Sequence, residues 1–160
     1  MDMANIDIVR ANWRDAWELG RLERRCFLRA DTLGWFEYLG LCLWPGVVML
    51  KAVAGGRIVG FVAGDPRRWS GHAVILTLGV DPTWQRRGVG QRLMRECEAR
   101  LDLPVIRLQV RKSNTPAIAL YRKLGYAIAR DLPRYYSDED GYLMEKARSG
   151  RDRQPRREKE

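Results

Sequence analysis

The 160-residue chain predicts a single α/β (α+β) domain, a mixed sheet of six or seven strands flanked by about four helices. Short apolar runs with strand character alternate along the chain with stretches of helical periodicity. Glycine and proline punctuate them at Pro45-Gly46, Gly55-Gly56, Asp81-Pro82 and Gly125. The apolar share of 46% is ordinary for a globular protein, and the length suffices for a core. The domain is expected over 1–147. A basic tail, 148–160, follows with six Lys/Arg against three Asp/Glu and few apolar residues, and is expected to be disordered.

Ile6 to Arg10 alternates apolar and polar and predicts the first strand. Asn12 is a candidate cap for a first helix. Trp13, Ala16, Trp17 and Cys26 are expected on its buried face, with Arg21, Glu23, Arg24 and Arg25 on the wet one. Asp31 is expected to cap a second helix, Thr32 to Leu43, whose Leu33, Trp35, Phe36, Tyr38 and Leu39 suit either core or an apolar wall over a groove. Val47–Ala54 and Arg57–Ala63 predict a hairpin turning at Gly55-Gly56. Ala73–Val80, apolar on both faces, predicts a central strand. Val89, Leu93, Cys97 and Leu101 recur every four residues as one buried helical stripe. Pro104–Val110 is a further strand. Asn114 and Pro116 start a last helix that stops at Gly125. Tyr126–Arg130 and Tyr142–Lys146 predict the closing strands.

Composition narrows the function. No run approaches the roughly 18 apolar residues of a membrane helix, and Met1-Asp2-Met3 does not begin a signal peptide. Three scattered cysteines and one histidine give neither a disulfide frame nor a metal site, and the cytoplasm is the expected location. The net charge of +9 suits an anionic ligand or a ribosome-like partner. A nucleic-acid partner is not expected, for want of a stacking platform or helix-turn-helix spacing.

One stretch carries a definite chemistry. Gln85-Arg86-Arg87-Gly88-Val89-Gly90 lies between the central strand and an amphipathic helix. Its glycines let the backbone approach a ligand, and the free amides of a helix's first turn favour an anion. Neither a P-loop nor the dinucleotide fingerprint fits, because the Gly-Lys-Ser/Thr and the third glycine are missing. Downstream come Leu108 to Asn114, then Ala119-Leu120-Tyr121-Arg122-Lys123-Leu124-Gly125-Tyr126.

Together these motifs resemble the GNAT superfamily of acetyltransferases, over roughly Val47 to Lys146. Within it the similarity is greatest to protein N-terminal acetyltransferases of the ribosomal-protein-alanine (RimI) type. The resemblance implies acetyl-CoA as co-substrate and no metal. It implies that Leu78, Gly79 and Val80 hold the pantetheine arm through their backbone. Arg86, Arg87, Gly88, Val89, Gly90 and Gln91 would then wrap the pyrophosphate, and Asn114 would contact the cofactor arm. Tyr121 would protonate the leaving thiolate. Tyr135 and Tyr136, in the segment before the acidic turn Ser137 to Gly141, would help enclose a peptide N-terminus. The position twelve before the tyrosine, a glutamate base in the RimI type, is Gln109 here. An amide accepts no proton at neutral pH, so Glu37 and His72 stand as replacement candidates. The substitution also bears on the acceptor: an α-amine has a pKa of about 7.7–8.0 against about 10.4 for lysine, so lysine needs roughly 3.4 kcal/mol more help. The expectation is therefore transfer to the α-amine of a protein or peptide, ribosomal proteins among the candidates, by a monomer or homodimer. The rivals are a small-molecule amine acetyltransferase and a weakly catalytic acetyl-CoA-binding regulatory module.

Overall fold

The computed structural model describes residues 5–27 and 31–149. Seven strands form one sheet in the order β1-β2-β3-β4-β5-β7-β6. They are β1 (Ile6–Arg10), β2 (Val48–Ala54), β3 (Arg57–Asp65), β4 (Ala73–Val80), β5 (Val105–Arg111), β6 (Ala127–Leu132) and β7 (Gly141–Ala147). The helices are α1 (Ala16–Cys26), α2 (Trp35–Leu43), α3 (Val89–Leu101) and α4 (Thr115–Lys123). The mixed seven-stranded sheet with four helices is the architecture the sequence predicted. All neighbours pair antiparallel except β4 and β5.

That one parallel pair shapes the molecule. β4 and β5 meet only at Ala73–Ile106 and Val74–Arg107, then part. The cause lies in β4: Ala63 of β3 pairs with Thr77 and Gly64 with Ile75, so Leu76 is an extra residue. A bulge of this kind bends its strand, and the pairing with β5 ends just before it. Beyond the bulge β4 follows β3 while β5 stays in register with β7 over seven pairs. The sheet therefore opens into a cleft at its middle.

Two cores hold the halves. On one face α3 buries Val89, Leu93, Cys97 and Leu101, as the four-residue spacing predicted, and α4 adds Ile118 and Tyr121, with Leu124 at its C-cap. On the other, α1 and α2 pack Ala16, Leu19, Leu22 and Tyr38 against Met49, Ile58, Phe61 and Ala63. Gly79 is dictated by this packing, since a Cβ there would lie 2.5 Å from the Phe61 ring.

The amino-terminal third departs from expectation. Asn12 caps a single 3-10 turn, Trp13–Asp15, that runs into α1, with Arg14 N–H donating to Asn12 Oδ1 at 2.9 Å. The buried stripe of α1 is Ala16, Leu19, Gly20, Leu22 and Glu23, whereas Trp13 and Trp17 are more than half exposed. Steps of three and four from Ala16 define the stripe, and they put a carboxylate inside and two indoles outside. Helix α2 starts at Trp35, three residues later than expected, with Gly34 N–H donating to Glu37 Oε2 at 2.8 Å. Asp31 does not cap it. Within α2 only Tyr38 is buried, so the apolar helix is not core throughout; of the residues expected in it, Leu33, ahead of Trp35, lines the central cavity. Arg148, expected as the first tail residue, packs on the body: its N–H donates to Pro104 O at 2.7 Å and its Nη1 to Glu98 O at 2.8 Å. Residues 150–160 lie outside the described residues. Among those described, no helix is long and apolar enough to cross a membrane.

Candidate active site

The cleft between β4 and β5 ends on a helix N-terminus. Gly88 precedes α3 at φ 79° and supplies no side-chain cap. Arg92 N–H already bonds to Gly88 O, so the amides of Val89, Gly90 and Gln91 are the ones without a partner in the helix. Arg86, at φ 60°, and Arg87 stand exposed beside them, and the Arg87 guanidinium lies 5.2 Å from the Trp84 ring centre. Gly90 sits tightly, with a Cβ there 3.3 Å from Leu120 Cδ2. Asp81 fixes the entry to the turn by accepting from Thr83 N–H and Oγ1 and pairing with Arg25 at 2.9 Å. These contacts hold its carboxyl below the usual range against the opposing cost of its burial. The turn thus offers bare amides, positive charge and a rigid base, which fits a pyrophosphate.

Along the cleft the free edge of β4 continues this backbone surface. Gly79 and Asp81 turn toward β3, where Asp81 N–H donates to Val59 O. By the alternation of an antiparallel ladder, Leu78 and Val80 present their amide groups to the other side. Val80 O there accepts from Gln85 Nε2 at 3.1 Å and Cys26 Sγ at 3.3 Å.

Beyond Leu78 the cleft widens into a cavity of about 430 Å³, lined by Glu23, Thr77, Leu78, Gln109, Asn114 and Tyr121 among others. The structure brings together the residues the sequence motifs singled out on β4, β5 and α4. Tyr121 is 8% exposed. Desolvation, and then the neighbouring Tyr136, push its phenol well above the ordinary tyrosine value, so at neutral pH it holds its proton. Asn114 Oδ1 accepts from Ala117 N–H at 3.3 Å and caps α4. Of the tyrosine pair, Tyr136 reaches the cavity, whereas Tyr135 is not on its wall and is more than half exposed. The candidate bases do not reach it. Glu37 spends its carboxylate on the start of α2, and His72 Nδ1 lies 3.3 Å from Ser70 O at the far end of β4.

Three contributors escaped sequence reading. Arg111, at the end of β5, grips Asp31 with Nε at 2.6 Å and Nη2 at 2.5 Å. Its Nη1 reaches Asp138 at 2.6 Å and Glu139 at 3.0 Å, and its guanidinium lies 4.4 Å from the Tyr136 ring centre. One cation thereby ties the segment before α2 to the segment before β7, both beside the cavity. The Asp31 and Asp138 bonds, with others, raise the Arg111 pKa, so the clamp is permanently charged. Thr77 and Glu23 are the other two. For Glu23 a signal existed: it lies seven residues, two turns, from Ala16.

Comparison with known proteins agrees with this geometry. The sequence model described as the acetyltransferase (GNAT) family matches residues 11–126. The N-terminal acetyltransferase B complex catalytic subunit NAA20 of Arabidopsis thaliana is 39% identical over 118 residues, covering 68% of this chain and 67% of that protein. The N-alpha-acetyltransferase RimI of Mycobacterium tuberculosis is 37% identical over 138 residues, covering 81% and 85%. In three dimensions the ribosomal-protein-S18-alanine N-acetyltransferase of Escherichia coli shares the fold with a TM-score of 0.78 at 22% identity, over 97% of this chain and 99% of that one. With the family model spanning most of the chain and the cleft built as described, the protein belongs to the acetyltransferase (GNAT) family.

Proposed function

We propose that the protein transfers an acetyl group directly from acetyl-CoA to the N-terminal α-amine of a protein or peptide. The observation that carries this reading is the cleft itself. A single opening in the sheet has bare helix amides and two arginines at one end, and a proton-holding Tyr121 beside a cavity at the other. Pyrophosphate binds at Arg86 to Gln91, the pantetheine arm follows the free edge of Leu78 and Val80, and the thioester reaches Tyr121. Asn114 holds the arm from the α4 side. The acceptor amine enters the cavity and attacks the acetyl carbon. Backbone N–H groups of β4 stabilise the resulting oxyanion, and Tyr121 donates its proton to the departing sulfur.

The α-amine is favoured over lysine on physical grounds. On the order of a tenth of α-amines are neutral at pH 7, while a lysine needs deprotonation by about 2.5 further units. Gln109 contributes no base for that task. Tyr136, held by Arg111, gives the cavity an aromatic rim suited to the first residues of a peptide chain. The acceptor class includes ribosomal proteins, and the three free cysteines suit work in the cytoplasm. A steady-state assay of CoA release with acetyl-CoA and short unblocked peptides tests the reading. Release that requires a free N-terminus is expected. Tight acetyl-CoA binding with no release on any peptide would overturn it.

A further inference from the structure

A second and larger concavity, of about 970 Å³, borders the turn before α3 and shares no residue with the acceptor cavity. Its wall comes from α1, from the β2–β3 hairpin and from that turn. Trp17, Arg21 and Arg25 recur every four residues and so stand in one row along α1. Arg57 joins them from the hairpin, and Trp84 and Arg87 from the turn. The acetyl-transfer chemistry uses none of these except Arg87.

The charges of this wall do not cancel. Of its carboxylates, Glu18 accepts from Ile58 N–H at 3.2 Å. Asp81 is held by Arg25 at 2.9 Å and by Thr83. Both are thus engaged, whereas Arg21, Arg57 and Arg87 have no ion pair among the described residues. Two indoles accompany the free cations. Trp17 is 59% exposed and meets Trp35 edge-on, with 6.3 Å between ring centres and 65° between planes, so no stacked ring covers its faces. Trp84 packs on the core and has the Arg87 guanidinium 5.2 Å from its ring centre. The sequence alone shows no stacking platform. The fold makes one by setting an indole of α1 and an indole of the turn on a single groove.

We propose that this groove binds an unpaired RNA strand, with phosphates on Arg21, Arg57 and Arg87 and bases on Trp17 and Trp84. Unpaired cations beside open aromatic faces are the combination a single strand requires, since every nucleotide brings one negative charge and one flat ring. Exposed unpaired bases are characteristic of RNA loops and ends, which makes RNA the strand expected. An acidic peptide would satisfy the guanidiniums and leave the indoles unused. The net charge of +9 draws a polyanion from a distance. Arg87 stands where the groove joins the pyrophosphate turn, so the strand runs beside the cofactor and not through the acceptor cavity. RNA binding of this kind is independent of acetyl transfer.

Fluorescence anisotropy of an unstructured RNA of about 12 nucleotides, titrated with the full chain in saturating acetyl-CoA, tests this. Wild type is expected to bind, with an affinity that falls steeply as salt rises. Trp17→Ala is expected to weaken binding about tenfold and to leave the salt slope unchanged. Arg21→Ala combined with Arg57→Ala is expected to lower the slope of log affinity against log salt by about 1.4, at about 0.7 for each phosphate contact. These side chains are exposed, so Tm and CoA release on a short peptide are expected to stay at wild-type values. Wild type that binds no RNA overturns the proposal. So does binding that the variants retain in full, which would place the strand on 148–160 or another basic face. Displacement of the RNA by acetyl-CoA would put it on the pyrophosphate turn and overturn the groove. Equal binding of an acidic peptide of the same length would leave the indoles without a role and overturn the choice of RNA. If Trp17→Ala loses Tm, the arginine pair decides, and a salt slope equal to that of wild type overturns the proposal. RNA binding by a wild type that releases no CoA on any peptide supports the groove and overturns the acetyl-transfer reading alone.

Discussion

The two ends of the cleft are made of different material. The end at α3 is backbone: bare amides of Val89 to Gln91, the free edge of β4, and glycines that clear space. The other end is side chain: Glu23 from α1, Thr77 from β4, Gln109 and Arg111 from β5, Tyr121 from α4. A backbone site comes from one contiguous turn and binds what every member of the family binds. A side-chain site is assembled from segments a hundred residues apart and can change one residue at a time. Gln109, which the family resemblance sets against a glutamate, lies at this side-chain end. The difference teaches where identity of reaction and identity of acceptor are each encoded.

The two largest expected effects separate the ends. Gly88→Glu forces a side chain into a left-handed position and places a like charge beside the pyrophosphate. Strain and repulsion of about 3 kcal/mol together weaken acetyl-CoA binding by about 100-fold, as titration calorimetry would read. Tyr121→Phe does the reverse, lowering kcat by about 100-fold with acetyl-CoA affinity held within about twofold. If either variant damages both properties equally, the ends are not separable.

A smaller effect probes the clamp. Arg111→Met releases Asp31, Asp138 and Glu139 together and frees Tyr136. The peptide KM is expected to rise about tenfold while kcat and acetyl-CoA affinity change little. Smaller still is a stability signature of Glu23. Its folded pKa lies above the unfolded value, with desolvation the main cause. Wild type therefore loses stability as pH rises from the unfolded carboxyl value through the folded one, and Glu23→Gln does not. Thermal melts of the two are expected to coincide near pH 4 and to diverge toward neutrality with the variant higher. The smallest effect is that of His72→Gln, which lies off the cavity and is expected to leave the pH–rate profile unchanged.

The sequence made the backbone end readable because its signals are local. Two glycines, two arginines and a four-residue apolar stripe are adjacent, and α3 follows them as expected. The strands of the sheet were legible for the same reason, each set by its own alternation and by glycine or proline at its ends. The side-chain end was legible only where a motif named its residues, as for Gln109, Asn114 and Tyr121. Arg111 reads as one more basic residue until Asp31, eighty positions earlier, is seen against it. Glu23 departs from expectation because spacing overrides hydrophobicity in α1. The exposed Trp13 and Trp17 attracted the buried face, while steps of three and four from Ala16 lead to the carboxylate.

Transfer to an α-amine is tested most directly with one peptide. A short substrate bearing both a free N-terminus and an internal lysine is incubated with acetyl-CoA and the protein, and the acetylated nitrogen is located by mass spectrometry. Acetyl is expected on the α-nitrogen, and none on the lysine when the N-terminus is blocked beforehand. Acetylation of the lysine at a comparable rate, with the N-terminus free or blocked, would contradict it.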